Sequence, residues 1–123
     1  MEKKDDKSLQ ASVKLMFVSE SKFFGPGPVN LLKEIDICGN VSDACEKCGF
    51  SYSKGWTILK RCEEELGYKI VERQAGGQTG GAARVTEKGH ILVDVYDELE
   101  AELSEMAEKR FPEIAARHGL SEK

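Results

Sequence analysis

The run Ser51-Tyr52-Ser53-Lys54, with Thr57 and Lys60 just beyond it, concentrates hydroxyls, a phenol and two ammonium groups in one short stretch. Those groups are hydrogen-bond donors, and two of them carry fixed positive charge. They suit the base edges and phosphate oxygens of a nucleic-acid duplex. A second set, Arg73, Gln74, Gln78, Thr79 and Arg84, brackets the glycine-rich stretch Gln74–Gly81, QAGGQTGG. Backbone amides and arginines on such a loop can reach phosphates or a minor groove. Ser42, at the start of an earlier helix, joins them as a candidate contact. The plain alternative is an ordinary capped, solvated helix start beside a loop.

Other chemistries fit less well. Cys45-x-x-Cys48, with Cys38 and Cys62, invites a zinc or redox site, but no second Cys-x-x-Cys follows. Each cysteine falls on the inner face of its helix, where a free thiol behaves as a small hydrophobe. A thiol- or metal-gated regulator stays open as one alternative. His90 and His118 are isolated. No nucleophile–base pair and no Gly-x-Ser-x-Gly elbow occurs, and no Gly-Lys-Ser/Thr follows the glycines to make a phosphate loop. The expectation is a protein that is not an enzyme and uses no cofactor and no metal.

The elements that must position the donors follow from pattern. Residues 41–66, VSDACEKCGFSYSKGWTILKRCEEEL, read as two helices joined at Gly49. Ser42 is the expected N-cap of the first and Ser51 of the second, and Gly67 ends the second. Phe50, Trp56, Leu59 or Ile58, Cys62 and Leu66 form the inner face. A short helix, a glycine turn and a longer helix with a polar start is a helix-turn-helix.

Upstream, Val13, Leu15 and Phe17 alternate as a short strand, and residues 19–27 read as a loop. Pro28 sits in the first turn of a helix whose inner face is Leu31, Leu32, Ile35 and Cys38. Downstream, Tyr68–Arg73 and Ala82–Val85 are strands around the glycine loop, which makes a wing. The N-terminal strand is expected to complete a three-stranded sheet with them. Thr86 caps a long helix in which Leu92, Tyr96, Leu99, Leu103 and Met106 step by four, three, four and three, a seam that suits pairing of two copies. Pro112 is expected to break that helix, with a short one following to His118.

The fold class expected is therefore α+β, mainly α: a winged helix-turn-helix with a short N-terminal strand, a glycine-rich wing and a long C-terminal dimerisation helix. The expected divisions are a flexible tail over 1–11, the winged helix over 12–85, the dimerisation helix over 86–118 and a tail over 119–123.

Charge constrains the partner. The 123-residue chain has a formal net charge of −4. Residues 39–90 hold eight basic and seven acidic side chains, net +1, whereas residues 91–123 hold four basic and nine acidic, net −5. The acid is concentrated in the last helix. A near-neutral reader makes few phosphate contacts per subunit, so useful affinity calls for two subunits on one site. The same near-neutrality motivates the other alternative, a winged helix turned protein-interaction module that binds no DNA. No apolar run approaches the ~20 residues of a membrane span. The charged start MEKKDDKSLQ is no signal peptide, so a cytoplasmic location with reduced thiols is expected.

The residues also resemble a family. Phe24-Gly25-Pro26-Gly27, Leu31-Leu32-Lys33-Glu34-Ile35, Gly39-Asn40-Val41-Ser42, Ser51-Tyr52-x-x-Gly55-Trp56, Val71-Glu72-Arg73, the paired glycines 76–77 and 80–81, and Val85-Thr86-Glu87-Lys88-Gly89 resemble the N-terminal DNA-binding domain of the ModE family of molybdate-responsive transcriptional regulators. That domain is related to the winged helix of LysR-type regulators. The match runs from about Phe24 to Leu99. The resemblance implies a dimeric regulator that binds double-stranded DNA. Family members usually carry alanine at the positions of Cys45, Cys48 and Gly55. Full-length members also carry a C-terminal oxyanion-binding domain, which this chain is too short to hold, so molybdate binding is not expected.

Overall fold

The computed structural model describes residues 9–74 and 82–120. The element order is β1 (Phe17–Val18), β2 (Lys22–Phe24), α1 (Pro26–Cys38), α2 (Val41–Cys48), α3 (Tyr52–Leu66), β3 (Val71–Arg73), β4 (Ala83–Val85) and α4 (Glu87–Arg117). The chain forms two compact units. One is Leu15–Asp97; the other comprises residues 1–14 and 98–123.

In Leu15–Asp97, α1, α2 and α3 enclose a core of Phe24, Leu31, Leu32, Ile35, Leu59 and Ile70, all essentially inaccessible to solvent. Among the described residues no polar or charged side chain is buried. Apolar burial therefore dominates the stability of this unit. Pro26 opens α1 at its first position, two residues before the proline picked out from sequence. Gly49 closes α2 at φ 80°, a left-handed conformation that makes the turn to α3 tight.

Two sequence expectations change here. Ser42 does not cap α2; it is exposed in the first turn. Asn40 is the N-cap: its Oδ1 accepts from the Asp43 N–H at 2.8 Å and its Nδ2 donates to the Asp43 carboxylate at 3.1 Å. The reciprocal bonding needs an acidic residue three positions after the cap, and only Asn40 has one. Nor is there one three-stranded sheet. Lys22–Phe24, read as loop, pairs antiparallel with β1, while β3 and β4 form a separate antiparallel pair. Phe24 decides this by packing against Phe17 and Tyr96, with ring centroids 5.6 and 5.5 Å away.

The β3–β4 pair is docked from two sides. Ala83 N–H donates to the Gly39 carbonyl at 2.9 Å, and Asn40 bridges Ala82. The Glu63 carboxylate of α3 accepts from the backbone N–H groups of Ile70 at 2.9 Å and Val71 at 3.2 Å. Thr86 caps α4 as expected, accepting from Gly89 N–H at 3.0 Å while donating to the Lys69 carbonyl at 2.9 Å. The first turns of α4 belong to this unit. Leu92 and Tyr96 are buried, 7% and 4% exposed, and the Tyr96 hydroxyl donates to the Leu15 carbonyl at 2.9 Å. Lys33–Asp97 and His90–Asp36 pairs, each 2.9 Å, tie α1 to α4.

In the other unit α4 runs on through Pro112 to Arg117, so the expected break is absent. Proline removes one backbone donor and crowds the preceding turn. Phe111 and Pro112 line a cavity of about 460 Å³ with residues 9–13. The helix ends in a turn at Gly119, whose φ is 79°. No helix among the described residues is long and apolar enough to cross a membrane.

Candidate nucleic-acid interface

The α3 helix has two faces of opposite character. Gly55, Leu59 and Cys62 point into the core. Ser51, Tyr52, Ser53, Lys54, Thr57 and Lys60 are all exposed. Burial of the apolar stripe fixes the rotation of the helix, and that rotation turns the polar start outward. Ser51 caps it, its Oγ accepting from Lys54 N–H at 3.1 Å. Unpaired N–H groups in the first turn and the positive end of the helix dipole there favour anions. Thr57 Oγ1 donates to the Ser53 carbonyl at 3.0 Å, which leaves its oxygen as an acceptor. Tyr52 stands half exposed, at 50%, edge-on to Trp56 with centroids 6.5 Å apart. Lys54 Nζ lies 5.8 Å from the Phe50 ring centroid, within cation–π range.

Beside α3 stand β3 and β4, with Arg73, Gln74 and Arg84 all exposed. Gln74 N–H donates to the Ala82 carbonyl at 2.9 Å and closes the base of the expected wing. The wing tip 75–81, with Gln78 and Thr79, lies outside the described residues. Arg84 is paired across the strands with Glu72, Nη2 to Oε1 3.1 Å, which reduces its availability to an outside anion. Arg73 is free of carboxylates among the described residues' ion pairs, and its guanidinium carbon lies over the Trp56 ring, 4.6 Å from the centroid.

Between α3 and β3 lies a cleft of about 710 Å³ lined by Trp56, Lys60, Glu63, Lys69, Val71, Glu72 and Arg73. Lys69 was missed from sequence, where it reads only as a strand residue. Trp56, expected in the core, is at its edge: partly buried and packed against the core residues. Its Nε1 is buried and has no hydrogen-bond partner among the described residues.

The cysteines behave as buried hydrophobes. Cys45 and Cys62 are buried and Cys38 and Cys48 partly so, all free thiols. Burial pushes the Cys62 thiol up to about 11, and it also raises Cys45 and Cys48. A raised thiol pKa disfavours the thiolate that metal binding and redox chemistry need. Among the described residues no cluster of three or more His, Cys, Asp or Glu could hold a metal ion. The proposed α4 seam divides. Leu92 and Tyr96 fill the core of their own unit. In the other unit Leu99 and Met106 are 40% and 59% exposed, with Leu103 partly covered.

No protein-family model matches the chain. Over 90 residues it is 32% identical to the DNA-binding transcriptional dual regulator ModE of Escherichia coli strain K12, covering 72% of this chain and 34% of that protein. The chain thus spans about a third of the length of the curated relatives it matches. Its fold is similar to that in the crystal structure of the CbnR DBD–DNA complex, with TM-score 0.54 and 19% identity over 72% of this chain and 94% of that one. It is also similar to the BenM DBD bound to catB site 1 DNA, with TM-score 0.53 and 19% identity over 77% and 96% of the two chains. The chain is a ModE-like winged helix, homologous to ModE regulators over that stretch and sharing the fold of the CbnR and BenM DBDs.

Proposed function

We propose that this chain is a sequence-specific, double-stranded-DNA-binding transcriptional regulator that works as a homodimer in the cytoplasm and catalyses no reaction. One observation carries the reading: α3 buries its apolar stripe and holds Ser51, Tyr52, Ser53, Lys54, Thr57 and Lys60 outward beside the β3–β4 pair. The α3 N-terminal half enters a major groove, where its side chains meet base edges. Arg73 and Gln74, with the wing, meet flanking backbone. The similarity to ModE of Escherichia coli and to DNA-bound winged helices supports this use of the fold.

Pairing of two copies runs along α4, through exposed residues that include Leu99 and Met106. Two α3 helices then read half-sites about one turn, ~34 Å, apart. Selection of bound sequences from a random duplex pool tests the reading. The expected result is a near-palindromic site bound more weakly as salt rises; no enrichment at low salt would instead leave a protein-interaction module.

A further inference from the structure

We propose that the cavity between the N-terminal segment and the distal part of α4 is a binding site for a small amphiphilic cation, an ammonium group carried on an alkyl or aryl body. Its lining lies wholly within the unit formed by residues 1–14 and 98–123, so the site stands apart from the DNA-binding reading. The cavity measures about 460 Å³, within the range of pockets that take small organic ligands. Leu9 and Val13 of the N-terminal segment line it together with Phe111 and Pro112 of α4. Leu9 is 61% exposed, apolar surface that the body of a ligand entering the cavity would cover.

The polar part of the lining selects the charge of the ligand. Glu100, Ser104 and Glu108 step by four along α4 and so share one face of the helix. The two carboxylates stand about 12 Å apart along the axis, at ~1.5 Å per residue. Glu100 accepts from the Ser104 hydroxyl at 3.1 Å, and Glu108 takes part in none of the ion pairs among the described residues. The lining contains no lysine, arginine or histidine. Residues 98–108 hold five glutamates and no basic side chain. Such a field repels anions and draws cations. A second copy presenting the same face would set like charges against each other, which charge complementarity disfavours. The N–H donors of an ammonium group match a free carboxylate, in a charge-assisted bond, while its apolar body meets Leu9, Val13 and Phe111.

The full chain is titrated by calorimetry at low salt with phenylbutylammonium, with its charge-reversed counterpart phenylvalerate and with spermidine, which carries positive charge but no aromatic body. The expected result is a single phenylbutylammonium site per chain, with the other two probes each at least about tenfold weaker. Glu100→Gln/Glu108→Gln keeps the shape of the lining and removes its charge, and it should weaken phenylbutylammonium binding about tenfold. Glu98→Gln/Glu102→Gln removes as much charge outside the lining and should leave affinity within about twofold. Circular dichroism confirms that each variant folds. Equal weakening by the two pairs leaves only a diffuse acidic surface and overturns the cavity assignment, as does phenylvalerate binding as tightly as the amine. Binding heat that vanishes as chain concentration rises shows a second copy covering the cavity and overturns it too. No heat with millimolar phenylbutylammonium overturns it outright, and leaves duplex binding untouched.

Discussion

The sulfur of Cys45 occupies the space that a β-carbon at position 55 would need. Helices α2 and α3 therefore meet at Gly55 with no side chain between the α3 backbone and the thiol. Glycine inside a helix costs about 1 kcal/mol relative to alanine, and here close approach explains it. The thiol fills the space that the absent β-carbon leaves.

That pair gives a first prediction. Gly55→Ala should destabilise the protein by about 1–3 kcal/mol through overpacking, despite the better helix former. Cys45→Ala in the same chain should recover most of the loss. Urea unfolding of the two variants and the parent measures both. A Gly55→Ala protein at least as stable as the parent means the helices do not pack this closely.

The capping of α2 can be read by two substitutions. Asn40→Ala should cost about 1 kcal/mol, because the Asp43 N–H loses its acceptor. Ser42→Ala, at an exposed position in the first turn, should change stability by less than about 0.5 kcal/mol. Equal losses in thermal melts would return the cap to Ser42.

Lys54→Ala should weaken binding to a selected duplex about tenfold, ~1.4 kcal/mol, with an unchanged melting temperature. Lys54 is exposed and its one ring contact is at 5.8 Å, so little folding energy depends on it. Fluorescence anisotropy beside a thermal melt checks this. Parent-like affinity would take the start of α3 out of the interface.

The α4 residues should separate into two kinds. Leu92→Ala should destabilise the fold by about 2–5 kcal/mol, since Leu92 lies in the core. Leu99→Glu and Met106→Glu should leave the melting temperature at low protein concentration unchanged and shift the sedimenting species toward monomer. A parent that sediments as a monomer at all concentrations would remove the pairing role.

The Cys62 thiol gives a pH signature. Its pKa in the folded protein is raised to about 11 by burial, above the ordinary thiol value of 9.0. The folded state therefore holds its proton more tightly than the unfolded chain. Stability from this group is complete below about pH 9 and falls as pH rises from there through about 11. Cys62→Ala should lower stability at neutral pH and flatten that alkaline decline in urea unfolding. A parent-like decline in the variant would place the titrating group elsewhere.

Much of this protein was legible in its residues alone. Local signals are short-ranged and chemically explicit. The glycines at 49 and 67, Ser51 and Thr86 marked helix ends, and the apolar stripe of α3 fixed which of its side chains face solvent. The polar run from Ser51 to Lys60 was visible for the same reason.

Tertiary structure decided whatever depends on residues far apart in sequence. The α2 cap is a local exception: Asn40 has an acidic residue three positions on and Ser42 does not, a difference already written in the sequence. Tyr96 reads as a seam residue by spacing, yet contacts with Phe17, Phe24 and the Leu15 carbonyl draw it into the core. Lys69 carries no motif, and the spacing of Trp56 reads only as core. Glu63, by binding the start of β3 to α3, makes them walls of one cleft, and such a juxtaposition has no periodicity for a sequence to display.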